Sequence, residues 1–549
     1  MGNTEHARQV LHDDSSARDR EGLNVTLVQR LRLVAMSLGL AMIFLDSLIV
    51  NVALPAIQEG FGVGESGLQW IVTAYSLGMA VAIMTSATLA DLYGRRRLFI
   101  VGIALFTASS LACGFAPSLM LLTAARAVQG VAAATVTVTS LALVSAAFPE
   151  PKEKARAIGI WNAIATCATP VGPTLGGFMV EHLGWRSIFL VNVPIGVLVI
   201  ALALRFVAES RDNRPRRLDV PGQVLFVVAV GAFAYATIEA PHSGWLSGTI
   251  LALFVLAAVA AMAFVAVERR SSDPMMDVSL FRNRTYSLAI VTIFALFFVI
   301  YGMLPVTTQY FQNVRGYPSE ITGLLVMPFS AMLLVVSLMV GQAVARIGTR
   351  IPILAGLSTT IVGLATMAAG LQASTTIVAI GLALCGAGAA MCVTPVTTVA
   401  MSTVDPARAG MAAGIMSAQR AIGSTVGFAI LGSVLAAWLA ATLDRDLAAA
   451  VPDPIERRDV AAAIVRDANP RAFVAEIGPS RPIRHPSAST KAAILAAADH
   501  DFVAGIRIAL GLGAAALIAV LVAGIVGFPA ARAEAADTTS LDERTSEAL

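Results

Sequence analysis

The sequence predicts an all-α integral membrane protein of fourteen transmembrane helices, built as two six-helix halves plus an inserted two-helix hairpin. Three observations carry this reading. Of 549 residues, 57% are hydrophobic and only 13% are charged. That is about half the charged share of roughly 25% found in soluble domains, and the mean hydropathy is +0.77. Apolar runs of about 20 residues, enough to cross a bilayer as a helix, recur along the chain. The basic residues fall in alternate loops between those runs.

The first six runs cover 32–54, 69–90, 98–116, 119–147, 156–181 and 186–206. The next two, 221–241 and 247–267, read as an inserted hairpin. The last six cover 286–311, 321–345, 351–371, 375–401, 409–439 and 502–527. With a cytoplasmic N-terminus, the short inner loops hold eighteen Lys and Arg, among them Arg95, Lys152, Arg211, Arg269, Arg346 and Arg408. The short outer loops hold two, Arg186 and Arg315. Such an imbalance sets the orientation, and an even span count puts both termini in the cytoplasm. Trp70, Trp185, Trp245 and Trp438 fall at outer span ends and Trp161 near an inner one, the pattern of an interfacial belt.

These runs divide the chain into a polar cytoplasmic tail at 1–30, expected to be unstructured, and an N-terminal half at 31–210. The inserted helices and their linkers follow at 211–285. The C-terminal half is 286–529, including a proline-rich outer loop at 440–501 with an Ala-rich amphipathic stretch at 488–501. A second cytoplasmic tail is 530–549. No removable signal peptide is read, because no short apolar stretch with a cleavage site precedes the first span.

An internal repeat links the halves. Ala87-Thr-Leu-Ala-Asp91-Leu-Tyr-Gly94-Arg95-Arg96 follows span 2, and Gly341-Gln-Ala-Val-Ala345-Arg-Ile-Gly348-Thr-Arg350 follows span 10. At an offset of 254 residues, Gly94 matches Gly348 and Arg96 matches Arg350. Two repeated halves around a midplane site are the plan of alternating-access transporters.

Several spans carry groups that lipid penalises. Span 1 reads Leu45-Asp46-Ser-Leu-Ile-Val-Asn51-Val-Ala-Leu54-Pro55, with one carboxylate in an apolar run. That setting favours the protonated acid, and a nearby arginine favours the ionised one. Such a group can exchange a proton for a cationic or polar substrate. Span 4 reads Leu122-Thr-Ala-Ala-Arg126-Ala-Val-Gln129-Gly130-Val-Ala-Ala-Ala134. An intramembrane arginine faces the bundle interior or a cavity, with a partner. Span 5 reads Ala168-Thr-Pro170-Val-Gly172-Pro173-Thr-Leu-Gly176-Gly177. Its glycines allow close helix approach, and Pro173 removes a backbone hydrogen bond and bends the helix. Span 13 places Arg420 in Ser417-Ala-Gln419-Arg420-Ala-Ile-Gly423.

These stretches resemble the major facilitator superfamily, in particular its fourteen-span drug:proton antiporter branch, from about residue 35 to 527. The loop at 87–97 resembles the signature G-x-L-a-D-r-x-G-r-k, with Ala87 for Gly and Leu92 for the basic residue. Span 4 resembles l-x-x-x-R-x-x-q-G-x-g-a-a, and span 5 resembles g-x-x-x-G-P-x-x-G-G with Ala168 for the first Gly. Span 1 looks like L-D-x-T-V-V-N-V-A-L-P, with Leu48 where Thr is usual. Trp185-Arg-Ser187-Ile-Phe189-Leu-Val-Asn192-Val-Pro194-Ile-Gly196 resembles W-R-W-x-F-x-x-N-x-P-x-G.

The resemblance implies a major facilitator fold and site roles. Asp46, Arg126 and Gln129 would couple protons to substrate. Asp91, Gly94, Arg95 and Arg96 would form a gate latch, with Asp91 reaching the start of span 13. Gly172, Pro173, Gly176 and Gly177 would form the antiporter-motif helix, and Arg420 would act in gating. It further implies a proton-coupled multidrug exporter. The same motifs suit a dedicated exporter of one natural product or lipid-like metabolite. A non-transporting membrane sensor using 440–501 as its outer module is the third reading, and the buried charges and the Gly-Pro span argue against it.

Several classes are excluded. There is no G-x-x-x-x-G-K-[ST] loop and no H-E-x-x-H, so an enzyme, a cofactor and a metal site are not expected. The four cysteines lie in apolar runs, and Cys385 and Cys392 rise about 10.5 Å along one helix, beyond disulfide reach of about 7 Å. A net charge of +3 without a basic tract argues against nucleic acid. The expected partners are a small-molecule substrate, protons and the lipid bilayer. A monomer working in a bacterial cytoplasmic membrane is the expected form.

Overall fold

The computed structural model describes residues 2–148, 150–211, 219–271, 274, 276, 278–404, 409–467, 470–476 and 487–528. Among them, thirteen helices are long and apolar enough to cross a membrane. The remaining expected span is α5 (Pro151–Leu183), many of whose side chains lie outside the described set. The first six spans are α1 (Gly2–Phe61), α2 (Glu65–Tyr93), α3 (Arg95–Gly114), α4 (Leu119–Ala147), α5, and the pair α6 (Ser187–Leu190) and α7 (Asn192–Phe206). The sequence predicts one helix at 186–206. The break falls just ahead of Pro194, which has no N–H for a continuous ladder.

The inserted hairpin is α8 (Val220–Ser243) and α9 (Gly248–Glu268). The last six spans are α10 (Arg284–Gln309), α11 (Ser319–Ile347), α12 (Arg350–Ala373), α13 (Thr375–Ser402), α14 (Ala409–Asp446) and α17 (Ala488–Gly527). Helix starts follow the sequence. Ser118, Ser247, Asn283, Ser374 and Ser487 each accept a first-turn amide with their side chains, satisfying donors that have no intrahelical partner. The repeat is visible in the backbone. Gly94 and Gly348 both take positive φ, 106° and 74°, a region L side chains avoid.

Two expectations change. The polar segment 1–30 continues the first span as part of the 60-residue α1, with its side chains before Leu27 outside the described set. No proline precedes Pro55, so a helix already nucleated by the span extends without a new nucleus. The tail at 530–549 lies outside the described residues. Trp161 and Trp185 are buried inside the two apolar clusters of the first six spans, not in an interfacial belt. Trp161 faces inward from α5, and Trp185 does so from the turn between α5 and α6.

One end of the bundle holds the start of span 1 and the close of span 14, and we call it the tail end. There Arg32 donates to the Phe206 carbonyl at 2.7 Å, and Arg350 to that of Ile525. At the opposite, loop end the described residues of 440–501 form a lobe. It comprises the end of α14, α15 (Pro454–Asp467), α16 (Pro470–Glu476) and the first turns of α17. At 1.5 Å per residue the 40-residue α17 is about 60 Å long, twice the roughly 30 Å apolar thickness of a bilayer, so its first turns extend beyond it. Leu443, Leu447, Val460, Ile464, Phe473 and Ile494 form a core separate from the bundle's. Arg471 ties the lobe to span 9 by donating to the Val314 carbonyl at 2.6 Å.

Two helix pairs make the main joins between the first six spans and the last six, α2 with α14 and α5 with α11, and α1 adds smaller contacts with α10 and α11. The hairpin packs at one of these seams, with α8 against both α2 and α14. There Thr85 donates to Gln223 at 2.7 Å and Ser433 to the Thr237 carbonyl at 2.8 Å. Near the loop end the seam is tight. A Cβ at Gly177 would collide with the Ser319 carbonyl, and one at Gly323 with that of Pro173. Gln312 also donates to the Val52 carbonyl at 3.0 Å.

The lobe's separate core has a measurable consequence. Ile464→Ala removes a fully buried side chain, at a cost of about 2–5 kcal/mol. Hydrogen exchange followed by mass spectrometry should rise across 443–498 and stay unchanged in α2 and α4. Exchange that rises equally in both regions would mean the lobe has no independent core.

Candidate functional site

Asp46 sits midway along the apolar part of α1 and is fully buried, as is Arg126 of α4. Their ion pair is direct, Nη1 to Oδ2 at 2.6 Å. The other carboxylate oxygen accepts from Gln129 Nε2 at 3.0 Å and from Asn192 Nδ2 at 2.8 Å. Ser110 accepts from the same two amides, at 3.2 and 2.9 Å, and donates to the Phe189 carbonyl at 2.9 Å. Arg126 also donates to Gln129 Oε1 at 2.8 Å and to the Ile71 carbonyl at 3.4 Å. Its guanidinium lies 4.2 Å from the centre of the Tyr75 ring, within the range of a cation–π contact. The carboxylate is thus held by one cation and two neutral donors, an arrangement that makes a buried charge tolerable.

The local sequence builds this cluster. Arg126 and Gln129 are three residues apart on α4, so they share a helix face. Gly130, next along, packs against the backbone of Tyr75, and a Cβ there would collide with the Tyr75 carbonyl. That close approach puts the guanidinium over the Tyr75 ring. Sequence reasoning places Asp46, Arg126 and Gln129 together. It does not assign Asn192 or Ser110, both fully buried. The signal for Asn192 is an amide in an otherwise apolar, family-like run. Ser110 leaves none, since a serine is common in spans.

The expected latch residues make local contacts among the described residues. Asp91 accepts from Arg95 at 2.9 Å within its own turn. Arg96 donates to the Leu204 and Ala203 carbonyls at 2.6 and 3.3 Å, binding α3 to the end of α7. Glu209, which no sequence motif marks, accepts the Arg96 and Arg97 amides at 2.9 and 3.3 Å. It thereby satisfies the positive N-terminus of α3. Residues 405–408 and the side chains of 409–411, where the resemblance places the partner of Asp91, lie outside the described residues.

The antiporter-motif glycines face two neighbours. Gly172 and Gly176 meet α1 at Leu45–Ile49, where a Cβ on Gly176 would come within 2.6 Å of Ile49 Cγ1. Gly177 meets α11, and Pro173 offers its carbonyl to Gly323 of α11. Arg420 is on α14, apart from the Asp46 cluster, and donates to Thr397 Oγ1 at 3.2 Å. The four cysteines are free. Cys167 is exposed, and the other three are buried. Asp446, His500 and Asp501 bring potential ligand atoms within 4.8 Å of one another where α14 meets α17. Sequence spacing gives no hint of this, because 54 residues separate Asp446 from His500.

A two-part helical bundle with paired charges buried between spans defines a secondary transporter of the membrane. The chain belongs to the Major Facilitator Superfamily, whose family profile matches residues 36–428. It is 58% identical over 501 residues to Multidrug resistance protein Stp of Mycobacterium tuberculosis (strain ATCC 25618 / H37Rv), covering 91% of this chain and 92% of that one. It is 45% identical over 502 residues to Drug efflux pump JefA of the same strain, covering 91% and 98%. Among solved structures, a bacterial homolog of the human lysosomal transporter Spinster, inward-facing and occupied, superposes with a TM-score of 0.60. It is 17% identical and covers 89% of this chain and 96% of its own. Its likeness bears on the fold.

The buried pair predicts a non-additive mutant set. Asp46→Leu leaves Arg126 buried without its partner and should cost about 3–5 kcal/mol. Adding Arg126→Met should restore part of that loss. Thermal melting of the detergent-purified protein reads this, with the double variant melting above Asp46→Leu. A double variant melting below both single variants would mean the two residues do not act as a pair.

Proposed function

We propose that this protein is a proton-coupled exporter of drugs and other amphipathic small molecules across the bacterial cytoplasmic membrane, with Asp46 as the proton-coupling group. The observation that carries the reading is the fully buried Asp46–Arg126 pair at 2.6 Å. In lipid, such a pair persists only with a partner in place. Protonating Asp46 removes half of it and leaves Arg126 held by neutral acceptors alone.

The pair is well placed to move the seams. Asp46 belongs to α1, which packs on α5, and α5 meets α11. Arg126 belongs to α4, donates to Ile71 of α2 and lies over Tyr75 of α2, and α2 meets α14. One ion pair therefore links, through α1 and α4, the two helices that make the main crossings between the halves. Releasing it lets α2 and α5 shift separately, which supports rocking of 31–210 against 286–529. The glycine face of α5 and the bend at Pro173 suit that motion.

Both oxygens of Asp46 are occupied by protein donors, so substrate does not replace the proton by direct contact. Competition acts through helix position: the state that binds substrate is the one in which the Asp46–Arg126 pair is closed. The positive-inside distribution orients both termini to the cytoplasm. The tight loop-end seam then faces outward, and the described state is closed on that side. The latch residues Asp91, Gly94, Arg95 and Arg96 brace the cytoplasmic end. One chain contains the whole site, so a monomer suffices.

The driving force is adequate. One charge crossing 100 mV is worth about 2.3 kcal/mol, and one pH unit about 1.4 kcal/mol per proton. Together they support a concentration ratio of about five hundredfold. The multidrug names of the relatives favour a broad substrate range over a single natural product.

Norfloxacin, a fluorescent zwitterion, tests the reading in energised cells. Cells expressing the protein should accumulate several-fold less than control cells, and a protonophore should abolish the difference. Asp46→Asn, expressed at the same level, should accumulate as much as the control. Efflux by Asp46→Asn at the wild-type rate would remove Asp46 from coupling.

A further inference from the structure

Arg420 is a cation in mid-span without a carboxylate. Its Nη2 donates to Thr397 Oγ1 at 3.2 Å, and its guanidinium lies 5.6 Å from the centre of the Phe297 ring. Its Nε is buried and has no acceptor. Among the described residues, no acidic group lies within ion-pair distance of it. The other buried charges near the seam, Asp46 and Arg126, neutralise each other. Among the described residues, Arg420 is therefore a positive charge without a countercharge, in a place where lipid-embedded charges are costly and mark function.

The surroundings are those of a binding site. Phe297 and Tyr301 stack with ring centres 5.8 Å apart and planes 14° from parallel, giving a flat aromatic face beside the guanidinium. Tyr301 lies against Ser47 of α1, across the seam. Tyr75 of α2 has a buried hydroxyl with no hydrogen-bond partner, and it lies within electrostatic reach of Tyr301. Arg420, Thr397, Phe297 and Tyr301 come from three helices of the last six spans, and Tyr75 and Ser47 from two helices of the first six. Arg420 itself is only partly covered, so a ligand can reach it.

We propose that Arg420 is a substrate-binding residue that anchors an anionic oxygen group, a carboxylate or enolate, of an amphipathic aromatic molecule. The planar guanidinium offers paired donors that match a carboxylate, with Nε as the free one. The Phe297–Tyr301 face takes the aromatic part, and the Tyr75 hydroxyl is a further donor. This deepens the export reading and rests on it. It narrows the substrates from drugs in general to those with an acidic oxygen function. It also centres binding on the second half, at the seam where Tyr75 adjoins the proton site of the first. A bound anion would supply the missing countercharge and draw the seam together. Tyr75 provides the physical link, since the Arg126 guanidinium lies over its ring.

The test uses the purified full-length protein in detergent without a proton gradient, so it does not depend on coupling. Sodium benzoate and benzylammonium chloride, at equal ionic strength, carry the same ring with opposite charge. Benzoate should raise the melting temperature of the wild type, and benzylammonium should not. Arg420→Gln should weaken benzoate at least about tenfold, a loss of about 1.4 kcal/mol, and Arg420→Lys should retain an intermediate response. Without ligand, Arg420→Gln should melt at or above the wild-type temperature, because it removes a span charge that has no countercharge among the described residues. A ligand-free Arg420→Gln that melts clearly lower would make Arg420 structural and overturn the proposal. So would benzoate stabilising no more than benzylammonium, or an unchanged benzoate response in Arg420→Gln. Benzoate binding through Arg420 in a protein that fails to expel norfloxacin would sustain this assignment while removing the export reading.

Discussion

The ion pair between Asp46 and Arg126 is the interaction on which the rest of this structure depends. Both groups are out of reach of water, and neither would be tolerable alone in an apolar bundle. Their partners are specified in turn: Gln129 one turn along α4, Asn192 at the start of α7, and Ser110 on α3 between the two amides. Four of the first six spans thus meet at one carboxylate. A network in which both carboxylate oxygens are held, with Asn192 Oδ1 left as a buried atom lacking a partner, has few intermediate arrangements. In the proposed coupling it is closed while the carboxylate is ionised and opens as a unit when the carboxylate gains a proton. That property makes it suitable as a switch.

The switch is useful because of where its helices lead. The pair bridges α1 and α4, and through them α5 and α2, the helices that cross to the other half. Small residues set how tightly those crossings close. Gly177 and Gly323 let α5 and α11 approach backbone to backbone near the loop end. The inserted hairpin adds to the second crossing, with Gln223 bonded to Thr85 and Thr237 to Ser433. The lobe of residues 443–498 holds α14 and α17 together at the loop end and is fastened to the end of span 9 by Arg471. The contacts described between the halves are thereby concentrated at the seams.

Much of this is legible in the amino-acid sequence, for a physical reason. Lipid forces the chain to declare its spans, and a charge inside a span is costly enough to mark itself. Asp46, Arg126 and Gln129 therefore stand out from the apolar residues around them, and the spacing of Arg126 and Gln129 puts them on one face. The repeat between Gly94 and Gly348 is readable because a positive-φ turn restricts the residue type. Other features depend on long-range packing, which local pattern does not encode. Glu209 caps α3 from 113 residues away, and nothing near it in sequence indicates that. Trp161 and Trp185 sit at span ends yet turn inward to the core. The 440–501 segment reads as a proline-rich loop, although Pro454 and Pro470 instead begin helices, as proline favours, and the lobe's core joins residues some fifty apart. That Arg420 has no carboxylate partner among the described residues is invisible to pattern as well, because it depends on which side chains long-range packing brings near.

The central claim is that protonation of Asp46 moves the halves. Pulsed electron–electron resonance between spin labels at Glu59 and Gln372, exposed positions at the loop end on opposite halves, measures this directly. In the wild type, lowering the pH from 8 to 5 should shift the distance distribution between two populations. In Asp46→Asn, which cannot ionise, the distribution should be the same at both values. An Asp46→Asn protein that shifts with pH as the wild type does would contradict the account.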